Sequence, residues 1–297
     1  MAQFDTPIVL IIYRRPDTTR CVFEAIRRVK PSRLFIVADG PSDKVDRERC
    51  EATRSIVEKI DWECDVYRNY ADMNMGCRKR VSSGLDWVFS KAQRAIILED
   101  DCVPDPSFFY FCGELLDRYE ENTHIMTISG NNYQPSPRTR YSYYFSRYMH
   151  CWGWATWKRA WENFDISMRT WQTVRDEAWL SEIFGSSSAR LYWRRIFDRV
   201  HAGEIDSWAY IWQYNIWMCG GLNILPEKNI VQNIGFGEQA THTKDEAKLE
   251  NATKTIDRPL QHPPVIIRHR SADQYTQIHH FQLTVAQRVL GKLRKWT

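Results

Sequence analysis

The chain has 297 residues, 43% of them hydrophobic and 26% charged, with a formal net charge of +4. That balance excludes a disordered chain. Without a dense Lys/Arg stripe it also speaks against a nucleic-acid binder, while a mild positive excess suits an anionic ligand. The length accommodates one large α/β domain or two smaller ones. The eight cysteines are scattered, with no CxxC and no zinc-like spacing, as expected of reduced cytoplasmic thiols. The opening MAQFDTPIVLIIYRRP lacks a cationic start and a small-residue cleavage site, so it reads as a first strand and not as a signal peptide. No apolar run is long enough to cross a bilayer.

In chain order, residues 7–13 (PIVLIIY) form a continuous apolar run, expected of a strand covered on both faces. Residues 17–29 carry helical periodicity through Val22, Ala25, Ile26 and Val29. Residues 34–38 (LFIVA) predict a second buried strand, ended by the turn signal Asp39-Gly40-Pro41. A charged amphipathic helix follows over 43–60, a third strand over 64–68, a helix over 76–91 and a fourth strand over 95–98. This alternation predicts a parallel sheet with right-handed crossovers. A helix over 107–119 and a strand over 124–129 come next, then a polar loop over 131–140. Residues 151–220 read as Trp-rich and mainly helical, and 230–243 as a glycine-bearing loop. The expected organisation is a nucleotide-binding half over 1–130, an acceptor-binding half over 131–270 and an amphipathic helix over 271–297.

The fourth strand runs into Glu99-Asp100-Asp101. Ligands of open parallel sheets bind outside the carboxyl ends of the strands, and both Asp39 and the acidic triplet fall at such ends. Three adjacent carboxylates are tolerable where a hard divalent cation neutralises them, and Mg²⁺ or Mn²⁺ typically takes one or two carboxylates plus phosphate oxygens. Alternation along an extended chain puts Glu99 and Asp101 on one side and Asp100 on the other. A solvated acidic turn is the bland alternative. It leaves unexplained why a strictly apolar strand leads straight into the triplet.

The stretch ILEDDCVPDPSFFYF resembles the metal-binding segment of inverting GT-A glycosyltransferases, and is most similar to the N-acetylglucosaminyltransferase I group and its bacterial relatives. VLIIYRRPDTTRCVFEAI, LFIVADG, GCRKRVSSGLDWVF, CWGWATW, EIDSWAYIW and NIGFGEQATHT follow in the matching order over about residues 7–245. The resemblance implies a GT-A, Rossmann-like fold: a mostly parallel sheet flanked by helices, with a helical Trp-rich acceptor half. It implies a metal-dependent inverting glycosyltransferase moving a sugar from a nucleotide-diphosphate donor, UDP-linked, with UDP-GlcNAc as one candidate, to a hydroxyl of a glycan or lipid-linked acceptor in polysaccharide biosynthesis. The metal, Mn²⁺ or Mg²⁺, falls to Asp101. Arg15 and Asp39 fall near the nucleobase, with Glu99 and Asp100 on the nucleotide sugar. Asp206 falls at the general base, with Glu204 as its rival in register.

Further residues follow from their chemistry. Arg80 opens a helix where a diphosphate is expected, and a guanidinium suits phosphate geometry. Gly153 stands between Trp152 and Trp154, where backbone and indole rings suit a sugar face; a packed core corner is the alternative. Asp206 precedes an apolar helix and reads equally as its N-cap. His242 lies in a loop with Gly235 and Gly237, within reach of a diphosphate or metal if that loop closes. Phe281, Val285, Val289, Leu293 and Trp296 form an apolar stripe beside Arg288, Lys292, Arg294 and Lys295, which suits either a peripheral membrane contact or a helix docked on the domain. Two other functions stay open. One is a metal-dependent nucleotidyltransferase or phosphodiesterase, against which the glycine-free YRRPDTT after strand one weighs. The other is a non-catalytic carbohydrate-binding protein, against which the intact triplet weighs.

Overall fold

The computed structural model describes residues 4–176, 179–235 and 252–282. Strand β1 (Ile8–Ile12) is followed by α1 (Pro16–Val29), β2 (Arg33–Ala38), α2 (Lys44–Val57), β3 (Asp65–Tyr70), α3 (Cys77–Phe89) and β4 (Arg94–Glu99). Then come β5 (Cys102–Pro104), α4 (Pro106–Arg118), β6 (Ile125–Ser129), β7 (Tyr143–Ser146) and β8 (Trp154–Trp157). The short helices α5 (Lys158–Trp161), α6 (Trp171–Val174) and α7 (Trp179–Ile183) lead to α8 (Ser187–His201) and α9 (Trp208–Met218). Strands β9 (Leu222–Pro226) and β10 (Val231–Asn233) and helix α10 (Arg270–Thr276) complete the described elements.

Local chemistry sets several boundaries. Pro16 has a fixed φ suited to the first turn of α1, and Lys30 in the left-handed region ends that helix, its N–H bonding Ile26 O. Asp43 and Asp105 cap α2 and α4 through the backbone N–H groups of Asp46 and Ser107. Helix α9 is apolar nearly all round and is correspondingly buried.

Eight strands form one sheet in the order β3-β2-β1-β4-β8-β6-β9-β7. The fold class is therefore the expected one, an α/β sheet flanked by helices. Strands β3, β2, β1 and β4 are mutually parallel, and β6 runs parallel with β9. Strand β8 is antiparallel to both β4 and β6, and β7 is antiparallel to β9. Strands β5 and β10 pair separately. Alternate residues feed two cores. Ile8, Leu10 and Ile12 join one with Phe23, Phe108 and Leu115, while Val9 and Ile11 join the other with Leu85, Trp193 and Trp212.

The second half is less helical than its sequence suggests. Strand β8 lies inside the stretch expected to be Trp-rich helix. It is four residues long and covered on both faces, with Ala155 and Trp157 in one core and Trp154 in the other, so it carries no polar alternation to reveal it. Strands β7 and β9 are similarly short and buried. Strands from both sides of residue 130 share the one sheet.

The described part of the helix expected over 271–297 is α10 followed by a wider π turn, Gln277–Phe281. Phe281 packs on Tyr148 and Trp193, with ring centroids 5.1 and 4.9 Å away. The rest of the expected stripe lies outside the described residues. Among the described residues no helix is long and apolar enough to cross a membrane.

Gly153 makes the turn into β8 with a φ of 61°, and a Cβ there would sit 2.8 Å from Val231 Cγ2. In the structure it packs closely against β10. Gly153→Ala should lower unfolding free energy by about 2 kcal/mol, from the left-handed backbone and the clash together. In denaturant melts, Val231→Ala in the same chain should recover part of that loss; an unchanged midpoint in Gly153→Ala would show that the turn relaxes freely.

Candidate active site

From β1 the chain steps outward through β2 and β3, then returns on the other side of β1 as β4. The strand order thus reverses between β1 and β4, which is where open α/β sheets form their ligand crevice. Arg15 follows β1 and Glu99-Asp100-Asp101 closes β4, so the topology brings them together. Arg15 Nη1 lies 2.6 Å from Asp101 Oδ2 and 3.4 Å from Asp100 Oδ1. The backbone N–H of Tyr13 donates to Asp100 Oδ2 at 3.1 Å.

Glu99 and Asp101 are expected on one side with Asp100 on the other; in the structure Asp100 and Asp101 both reach Arg15. Strand geometry stops at Glu99, and a turn begins at Asp100, so alternation no longer governs the next two side chains. Burial pushes the Glu99 and Asp100 carboxyls well above the usual carboxylate range; the charge of Asp101 adds to this, and Arg15 opposes it. Arg15 alone therefore does not offset the crowding of these carboxyls, two of which are pushed toward the protonated form.

Asp101 is approached from β10. Ile234 N donates to Asp101 O at 2.8 Å, and a Cβ on Gly235 would lie 2.0 Å from Asp101 Oδ2. Only a glycine leaves that carboxylate its space. The donors at this cradle are hard carboxylate oxygens, which suit Mg²⁺ or Mn²⁺. Among the described residues no three His, Cys, Asp or Glu side chains are arranged as a full ligand set. Asp101 and Asp100 alone would leave such an ion to be completed by phosphate oxygens.

Three other expected site residues are engaged with backbone. Asp39 is buried, and its carboxylate accepts from the N–H groups of Gly40 and Met75, both at 2.9 Å, and from Asn74 Nδ2 at 3.0 Å. Burial raises its pKa, against the pull of those N–H donors. Arg80 is buried, and it donates to Ala38 O at 3.1 Å and to Asn69 O at 2.6 Å. It ties α3 to the carboxyl ends of β2 and β3. Asp206 caps a helix, but a different one from the helix it precedes: Oδ2 accepts from Cys77 N at 2.9 Å and Oδ1 from Arg78 N at 3.2 Å, closing the start of α3. Glu204 is exposed and pairs with Arg199.

Trp152 is half-buried and meets Tyr133 edge-on, with centroids 5.5 Å apart. Trp154 is fully buried and stacks on Trp208 at 5.2 Å, so it belongs to the core corner. His242 lies outside the described residues. One element went unread in the sequence: buried Asp46 accepts from the Tyr13 hydroxyl, Arg14 and the Ser42 hydroxyl, and so holds the turn that carries Arg15. Its partners are up to 33 residues away, and no local spacing marks them.

The cap on α3 is open to test. Asp206→Ala should cost about 1 kcal/mol of stability, whereas Asp206→Asn, a good cap itself, should cost far less. A proton-accepting role would show differently, as a 10²–10⁴-fold fall in turnover in Asp206→Asn with stability unchanged.

No family model matches the chain, and no curated protein matches it. Among solved structures it is similar to a cytidylyltransferase from Leptospira borgpetersenii, with 13% identity and a TM-score of 0.33, over 54% of this chain and 64% of that one. The chain thus spans just under two thirds of that protein's length. It is also similar to 4-diphosphocytidyl-2C-methyl-D-erythritol synthase from Anaerococcus prevotii, with 10% identity and a TM-score of 0.34, over 72% of this chain and 97% of that one. Likenesses this loose transfer no residue roles. The expected kinship with inverting GT-A glycosyltransferases of the N-acetylglucosaminyltransferase I group is corrected, since these two similar structures are named as a cytidylyltransferase and a 4-diphosphocytidyl-2C-methyl-D-erythritol synthase. The glycosyl-transfer reading drawn from that resemblance falls with it.

Proposed function

We propose that the chain is a divalent-cation-dependent nucleotidyltransferase, which joins the nucleotidyl group of a nucleoside triphosphate to a phosphate-bearing acceptor. The observation that carries this reading is the meeting of Arg15 with Asp100 and Asp101 at the switch point between β1 and β4. Transfer at phosphorus needs little covalent help from the protein. It needs charge neutralisation and a fixed line of attack. A planar guanidinium beside hard carboxylate oxygens supplies the elements of both.

Glycine is missing from YRRPDTT because Pro16 starts α1 directly after Arg15. Two guanidinium groups, Arg14 held by Asp46 and Arg15 held by the acidic turn, would take the place of the backbone amides of a glycine loop. The first turn of α1 has no side-chain cap and opens at the same crevice, where a helix N-terminus favours an anion.

In the reaction, an oxygen of the acceptor phosphate forms a bond to the α-phosphorus as the bond to the leaving pyrophosphate oxygen breaks. A phosphate monoester is already largely ionised at neutral pH, so no protein base has to remove a proton. That agrees with the engagement of both Asp206 oxygens on α3. A divalent cation, when bound, would supply charge neutralisation at the phosphates. Asp101 and Asp100 would hold it, and Arg15 would bind phosphate oxygens while fixing the turn after β4.

The test is pyrophosphate release from a panel of nucleoside triphosphates with phosphorylated acceptors, in Mg²⁺ or Mn²⁺. Asp101→Asn should cut release by ~10³-fold, the size expected when charge stabilisation at the reacting centre is lost, and EDTA should abolish it. Nucleotides should raise the melting temperature only with the cation present. Full activity of Asp101→Asn, or nucleotide binding with no pyrophosphate release from any triphosphate, would remove this reading.

A further inference from the structure

A second surface, at the β7 edge of the sheet and four strands from β4, has no part in the chemistry above. Val265, Ile266 and Ile267 are 56%, 40% and 69% exposed. Three consecutive exposed aliphatics do not follow strand alternation, so all three present apolar surface to solvent, Ile267 most of all. It is anchored just after the triplet, where His269 N donates to Phe145 O at 2.8 Å beside Arg268. Pro263 and Pro264 precede it and offer no N–H, so it is a poor edge for pairing with another strand.

Beside the triplet lies a cavity of about 570 Å³ lined by Arg147, Arg268, Ser186, Ser188 and Ile278, among others. Arg147 and Arg268 share one counter-charge, buried Asp273, whose Oδ2 lies 3.9 and 3.3 Å from their Nε atoms. Two guanidinium groups on one carboxylate leave a positive charge over. Arg147 Nε is buried and donates no hydrogen bond. The 15-residue helix α8 begins at this wall, capped by Ser186, and adds its positive end. Arg268 belongs both to the cavity and to the anchor of the triplet. Ile278, 38% exposed, lines the cavity, and exposed Arg270 lies two residues after Arg268.

We propose that this face docks on an anionic phospholipid surface. The cavity receives a headgroup phosphate on Arg147, Arg268 and the first turn of α8. Val265, Ile266 and Ile267 enter the interface beside it. An apolar tip rimmed by cations is complementary to the acyl boundary beneath anionic headgroups, and the two parts act at one depth because Arg268 directly follows Ile267. A free phosphate would explain the cavity alone. A second copy of the chain would explain the aliphatics alone.

The full chain would be sedimented with phosphatidylcholine vesicles, with and without phosphatidylglycerol, at low and high salt. Binding should require phosphatidylglycerol and weaken with salt. Val265→Ser/Ile266→Ser/Ile267→Ser should reduce vesicle binding by ~10-fold or more, since a loss of about 1.4 kcal/mol from three side chains suffices for tenfold. Arg268→Gln should reduce both binding and its salt dependence. Melting temperatures would confirm that each variant is folded. Any of four results would overturn the proposal. These are equal binding by the triple variant, a dimer that the triple variant abolishes, and stabilisation by inorganic phosphate without vesicle binding. The fourth is vesicle binding lost on truncation after Gln282 but kept by the triple variant.

Discussion

One guanidinium holds the centre of this molecule together. Arg15 is the cation in contact with Asp100 and Asp101, where three consecutive carboxylates follow the four fully buried central residues of β4. Burying carboxylates without a partner is costly, and breaking a buried pair leaves an uncompensated charge. The turn after β4 can take its observed course only with Arg15 in place, and Arg15 is in place because Asp46 fixes the turn that precedes it. Across the centre, β10 reaches Asp101 through Ile234 and Gly235. Three distant segments thereby meet at one point, β1 and β4 as paired strands and β10 through its ladder with β5.

Around that point, polar side chains do structural work that a sequence cannot distinguish from chemistry. Asp39, Arg80 and Asp206 are the residue types a nucleotide site would use, at the carboxyl edge of the sheet. Each satisfies backbone groups that burial or a helix end would otherwise leave bare. A carboxylate at a strand end is needed by ligands and by loops for the same reason: N–H groups converge there.

The first half was legible because its strands are five- or six-residue runs set between amphipathic helices of 13 or 14 residues, and one period follows the other. The site's location followed from that pattern and the strand-end rule. The side of each carboxylate did not, because alternation ends where the turn begins. Strands β7 and β8 were hidden by being four residues long and buried on both faces, amid aromatic residues that suit helix and strand alike. The Asp46 network and the cap on α3 join residues separated by tens to more than a hundred positions, and nothing in local spacing records them. The family resemblance rested on short segments in matching order, which several sheets with acidic strand ends can satisfy.

The cap that Asp206 places on α3 spans 129 residues of sequence. A chain made from its N-terminus completes β1 through β4 long before residue 206 exists. At that stage α3 starts with bare N–H groups, and the flank of β4 awaits β8. The first half can collapse early, but its acidic edge stays unfinished until the distal segment arrives. Assembly of the crevice is thus tied to near-completion of synthesis, so a truncated product would have much of the sheet without a finished crevice.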